Sequence, residues 1–193
     1  MFADMRGSTA LVESLDPHRL SAFRRRITRL ARLRGGGVDK FIGAGAPVVF
    51  DLPKPRPDDA RALTFARDLV GVIAHWTAEA EAIRIGIGVH YGAVLCGIIG
   101  EEARYEFTVL GDAVNVAARL AQAAKLHGVP ILASEAARHA TGEPAGAWRE
   151  VSRKPLRGRR ERMPYHTPAA LDPPGSGQVR EEDSRPPGPR IGT

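Results

Sequence analysis

Tyr105-Glu106-Phe107-Thr108-Val109-Leu110-Gly111-Asp112-Ala113-Val114-Asn115-Val116-Ala117-Ala118-Arg119-Leu120 joins an apolar run to a helical run through one glycine. Phe107–Leu110 reads as a short strand and residues 113–127 as a helix that Gly111-Asp112 opens, with Asp112 as its cap. Asn115 and Arg119 stand four apart, on one helical face. A planar guanidinium beside an amide suits a phosphate or ribose edge; a solvated helix face is the plainer alternative.

Working outward, Ile83–Tyr91 alternates as a strand with Ile85, Ile87 and Val89 on one face, and Val94–Ile99 is a second strand after Gly92. Gly86 and Gly88 inside the first imply close backbone approach. Upstream, Val38–Ile42 and Pro47–Leu52 flank Gly43-Ala44-Gly45-Ala46 as a hairpin. Helices are predicted from Asp16-Pro17 to Leu33 and over about 58–79. The first buries Leu20, Phe23, Ile27, Leu30 and Leu33, and Arg24, Arg25, Arg26, Arg29 and Arg32 cover its other face. Ser8 or Thr9 can cap an earlier helix. Met1–Asp4 reads as the end of a strand. Pro130–Ala133 is a strand, Glu135–Ala140 a short helix, and Trp148–Val151 with Arg160–His166 a closing hairpin. The order β–α–β–β–α–β predicts an α+β, ferredoxin-like split βαβ core with helices on one face of an antiparallel-rich sheet. Residues 1–167 form the folded unit. Residues 168–193, rich in Pro, Gly and charge, are expected to be a disordered tail.

The chain has 193 residues, 43% of them apolar, enough for one domain with its own core. No apolar run reaches the ~18 residues of a membrane span. The N-terminus lacks a signal-peptide pattern, and the single cysteine, Cys96, excludes an internal disulfide and a Cys-based zinc site. A reducing cytoplasm fits best. Cys96 reads as a small buried hydrophobe. The net charge of +6 is compatible with an anionic ligand. An RNA-binding reading is disfavoured because the strands lack an aromatic base-stacking platform. No GxxxxGK[ST], GxGxxG turn, HExxH or GxSxG occurs, and the six histidines show no metal spacing.

Three stretches, FADMRGSTAL (2–11), VDKFIGAG (38–45) and FTVLGDAVNVAARL (107–120), with IRIGIGVHYGAVLCGIIG (83–100) between them, together resemble the catalytic domain of the class III adenylate and guanylate cyclases. The similarity runs over residues 1–165 in the family's order. It implies a head-to-tail dimer, homodimer or heterodimer with another cyclase domain, with nucleotide sites at the interface and Mg2+ or Mn2+ as cofactor; from the chain itself no nucleic acid partner and no membrane segment within the chain are expected. It implies conversion of ATP to cyclic AMP and pyrophosphate by attack of the 3′-hydroxyl on the α-phosphorus. By the same resemblance Asp4 is a metal ligand, Lys40 and Thr108 read the base and point to ATP, Asn115 orients the ribose, and Arg119 stabilises phosphate charge. Two metal ions ~3.5–4 Å apart serve such a reaction by activating the hydroxyl and neutralising the leaving group.

The resemblance breaks at Ala44, where the family carries its second metal-binding aspartate. A methyl group cannot ligate. Asp39 is five residues away along an extended strand, ~16 Å at ~3.3 Å per residue, and Asp51 lies at the far end of the return strand. The resemblance also implies a first strand longer than Met1–Asp4. Two expectations follow: a cyclase weak or inactive as a homodimer, or a catalytically silent module that binds nucleotide or completes a site with a competent partner protomer.

Overall fold

The computed structural model describes residues 1–5, 17–50, 60–77, 85–101 and 104–171. The proposed caps Ser8, Thr9 and Asp16, the acid Asp51, and the tail from 172 onward lie outside the described residues. Nine strands are present among the described residues: β1 (Phe2–Met5), β2 (Gly36–Val38), β3 (Gly45–Phe50), β4 (Ile85–Val89), β5 (Leu95–Glu101), β6 (Arg104–Leu110), β7 (Ile131–Ser134), β8 (Trp148–Ser152) and β9 (Tyr165–Pro168). Four α-helices join them: α1 (Pro17–Leu33), α2 (Arg61–Thr77), α3 (Asp112–Leu126) and α4 (Glu135–Ala140).

Seven strands form one sheet in the order β2-β3-β1-β4-β7-β9-β8; β5 and β6 form a separate two-stranded ribbon. All pairings are antiparallel except β4 with β7. This is the α+β, antiparallel-rich arrangement expected from the element order.

Strand β1 lies between β3 and β4. Asp4 pairs with Gly45 on one side and Gly86 on the other. On one face of the sheet Ala3, Met5, Ile85, Ile87 and Val89 pack with Phe23 and Ile27 of α1 and Phe65, Leu69 and Ile73 of α2. The other face carries α3. A Cβ on Gly88 would stand 2.0 Å from the Ala117 carbonyl oxygen and 2.5 Å from the Ala121 nitrogen; one on Gly86 would stand 2.6 Å from the Ala121 oxygen. Helices therefore cover both faces of the sheet, not one. The two glycines are the reason, since without side chains β4 lets a helix backbone settle directly on it.

Three further expectations are corrected. In α1 the buried series is Phe23, Ile27 and Ala31, spaced by four, and Leu33 is 71% exposed. Cys96 is only half-buried, on the two-stranded β5–β6 ribbon that stands apart from the main sheet. Asp112 is the first residue of α3 and not its cap. Gly111 holds the cap position at φ 144°, in the region that favours glycine, and no side chain caps the helix. The helix after β7 is capped by Ser134: the Ala137 N–H donates to Ser134 Oγ at 3.2 Å.

His90, just after β4, has Nδ1 2.8 Å from the same Ser134 Oγ. A neutral ring lets the hydroxyl donate to Nδ1 while it accepts from Ala137. Burial pushes the His90 pKa down, and burial does the same at His127. A lowered histidine pKa means the unfolded chain binds more protons as pH falls below the ordinary value of 6.5, so folded stability is lost on acidification.

Two outcomes are expected. Gly88→Ala should lower stability by about 2–3 kcal/mol, ~5–10 °C in a thermal melt, while Gly37→Ala, where a Cβ meets nothing within 4 Å, should change little. The melting temperature should fall between pH 7.5 and 5, and His90→Gln should flatten that decline. A His90→Gln profile superimposable on the natural one would remove His90 from the explanation.

Candidate active site

Strand β6, Gly111 and α3 place three of the sequence-predicted residues in one segment. Thr108 is buried on β6, opposite Gly97 of β5. Asn115 is exposed and Arg119 half-buried on one face of α3. They line a cleft of about 450 Å3 with Ala118, Gln122, Arg157 and Gly158. Gly158 adopts φ 75°, the left-handed region that favours glycine, beside the Arg119 guanidinium. Arg159, next along that loop, donates from Nη1 to both Asp112 carboxylate oxygens, at 2.7 and 2.8 Å. That hydrogen bond holds the Asp112 carboxyl below its ordinary range. The cleft thus combines two guanidinium groups and two side-chain amides, a set suited to a polyanion with hydroxyl groups. Sequence reasoning missed Arg157 and Arg159. They lie about forty residues beyond Arg119, in a loop without periodicity, and only the fold brings them to α3.

Lys40 stands outside any strand, between β2 and β3, a correction to its expected place in one. Pairing stops at Val38, and Asp39 is held only by its backbone N–H to the Pro47 carbonyl, 3.1 Å. The Lys40 ammonium donates to Glu106 Oε1 at 2.8 Å, and this bond raises its pKa. Glu106 and Thr108 share one face of β6, by the alternation of a strand. The ion pair therefore aims Lys40 at the strand face that carries Thr108.

Ala44 occupies a tight turn whose ends, Ile42 and Gly45, exchange backbone hydrogen bonds of 2.8 and 2.9 Å. It is 5% exposed and belongs to the apolar core. Arg24 of α1 donates to the Gly43 carbonyl at 3.1 Å and lies over the Phe41 ring, 5.1 Å from its centroid. One arginine of the basic face thus anchors this turn.

Asp4 points to the α3 side of the sheet, where its carboxylate is ion-paired with Lys125. The same ammonium donates to the Met5 carbonyl at 2.8 Å. The residues present therefore do not fit a two-ion centre. One carboxylate is paired with a cation, the neighbouring carbonyl is bonded to the same cation, and the second position is a buried methyl. Among the described residues no three His, Cys, Asp or Glu side chains gather as a metal cluster.

Lys125 follows Arg119 by six residues on α3, ~9 Å along the helix axis at 1.5 Å per residue. The β5–β6 ribbon meanwhile exposes Leu95, Ile98, Phe107 and Leu110.

The model of the adenylate and guanylate cyclase catalytic domain matches residues 1–167. The chain belongs to that family. An uncharacterized protein of Mycobacterium tuberculosis (strain CDC 1551 / Oshkosh) is 36% identical to the cyclase domain over 188 residues, covering 91% of this chain and 32% of the relative. The chain spans about a quarter to a third of the length of the curated relatives it matches. The fold is shared with the adenylyl cyclase CyaB from P. aeruginosa, at TM-score 0.73 and 24% identity over 86% of this chain and 89% of that one. It is shared equally with a guanylyl cyclase, at TM-score 0.70 and 24% identity over 91% and 92%. No helix among the described residues is long and apolar enough to cross a membrane.

The cleft geometry makes a direct test with inorganic tripolyphosphate. Arg119→Ala and Arg157→Ala should each weaken its binding by ~10-fold or more, the cost of one charge-assisted hydrogen bond. Lys154→Ala, outside the cleft, should leave it unchanged, as isothermal titration would show.

Proposed function

We propose that this cyclase domain supplies the nucleotide-side half of an adenylyl cyclase site and is weak or inactive as a homodimer. The observation that carries the reading is the contrast within one chain. Asn115, Arg119 and Arg157 share an open cationic cleft, while Ala44 and the paired Asp4 leave the metal side without ligands.

In this reading Lys40 and Thr108 meet the adenine edge. Adenine offers an acceptor, N1, to an ammonium donor, and an amino group to a hydroxyl acceptor. Asn115 orients the ribose. Arg119 and Arg157 carry fixed positive charge to the phosphates, where charge develops during transfer. The O3′–Pα bond forms, the bond from Pα to the bridging oxygen breaks, pyrophosphate leaves, and the 3′-hydroxyl proton passes to solvent. The divalent ions that the family's chemistry uses would be held by a partner protomer with both aspartates. The exposed apolar ribbon gives that partner a surface to cover.

The test mixes this chain with a cyclase domain that keeps both metal-binding aspartates but has alanines at its own Asn and Arg positions. Each alone should make little cyclic AMP from ATP and Mn2+. The mixture should make ~10²–10⁴-fold more than this chain alone, equivalent to about 3–5 kcal/mol of transition-state stabilisation, and Arg119→Ala in this chain should abolish the gain. Turnover by this chain alone at the rate of the mixture would overturn the reading.

A further inference from the structure

We propose that Lys125 is a tethered cation at Asp4, which takes the place a divalent ion would need and commits that carboxylate to joining α3 to β1. This inference concerns cation occupancy at Asp4 and holds whether or not the domain turns over ATP.

The rung of the sheet that carries Asp4 is bare on both sides. Its partners are Gly45 on β3 and Gly86 on β4. A Cβ at Gly45 would stand 3.3 Å from Asp4 Oδ1, and one at Gly86 would stand 2.8 Å from Lys125 Cγ. The first glycine leaves room for the carboxylate. The second lets the lysine stem lie across β4 and reach β1. Lys125 belongs to the last turn of α3, where a cation is also favoured by the helix dipole. Its ammonium meets two oxygen acceptors, the Asp4 carboxylate and the Met5 carbonyl. Both are hard oxygen donors of the kind Mg2+ or Mn2+ would take.

The pair is sheltered, with the side chains of Lys125 and Asp4 23% and 21% exposed. A divalent ion bound to Asp4 would either meet the ammonium at close range, with twice the repulsion of two unit charges, or expel it from the Asp4 and Met5 oxygens. A lysine therefore excludes the ion by charge as well as by volume. A neutral side chain of similar length would remove the charge while keeping most of the volume. The natural glycine at 86 and the lysine at 125 act together, since a side chain on Gly86 would displace the stem.

Mn2+ binding, followed by electron paramagnetic resonance of the free ion, tests this without any turnover. Ala44→Asp supplies a second carboxylate and serves as the background. There, Lys125→Met should tighten Mn2+ binding by ~10-fold or more, the size of effect seen when groups around a metal ligand change. Adding Asp4→Asn should remove the gain, and Lys125→Arg, which keeps the charge, should not produce it. Lys125→Gln provides the same neutralisation should the methionine variant fold poorly, with the thermal melt of each variant as the check on folding. Equal Mn2+ affinity with and without Lys125 would overturn the proposal. So would a lower melting temperature in the folded neutral variants with no gain in Mn2+ binding, because the pair would then be only a structural tie.

Discussion

The backbone contact between α3 and the paired glycines of β4 sets the position of nearly every group discussed above. Gly86 and Gly88 leave the middle of the sheet without side chains on one face, and α3 rests there at backbone distance. With the helix so placed, its first turns carry Asn115 and Arg119 to the loop holding Arg157 and Gly158. Its last turn carries Lys125 over the sheet to Asp4. A rotation of one residue in this packing would turn both ends away from their partners. Close packing makes such a rotation costly, because the Ala117 and Ala121 backbone already touches the strand.

Charge is divided along that helix. One end gathers guanidinium groups around an open cleft, where solvent or a polyanion can meet them. The other end neutralises a carboxylate internally. The Asp112–Arg159 and Lys40–Glu106 pairs are exposed, so they orient side chains more than they stabilise the fold. The Asp4–Lys125 pair is sheltered by the sheet and by α3. Breaking it from either side would leave a partly buried charge without its partner, which gives this pair a larger structural consequence than the surface pairs.

The projecting ribbon gives the fold its outward direction. Leu95, Ile98, Ile99 and Phe107 are half or more exposed while the neighbouring sheet is filled. Exposed apolar side chains on both faces of a ribbon of only two strands are a feature that association would cover. The same ribbon carries Thr108 and Glu106, so any partner that covers it also approaches the groups that orient Lys40.

Much of this was legible in local sequence. Apolar periodicity located α1, α2, α3 and the core strands, because a 3.6-residue or two-residue repeat is a property of the chain alone. The stretch through Gly111 located Thr108, Asn115 and Arg119, and the missing carboxylate at Ala44 was visible as a single letter. What the letters could not show was pairing across distance. Helices on both faces followed from two glycines meeting a particular helix. Leu33 lost its place in the core to Ala31 because burial depends on the helix's rotation against α2 and the sheet. Lys40 left the strand because β2 stops at Val38. Arg157 joined the cleft and Lys125 found Asp4 across 121 residues of chain. Sequence spacing dictates which side chains share a face; only the closed sheet with α3 laid upon it decides which distant charge each face meets.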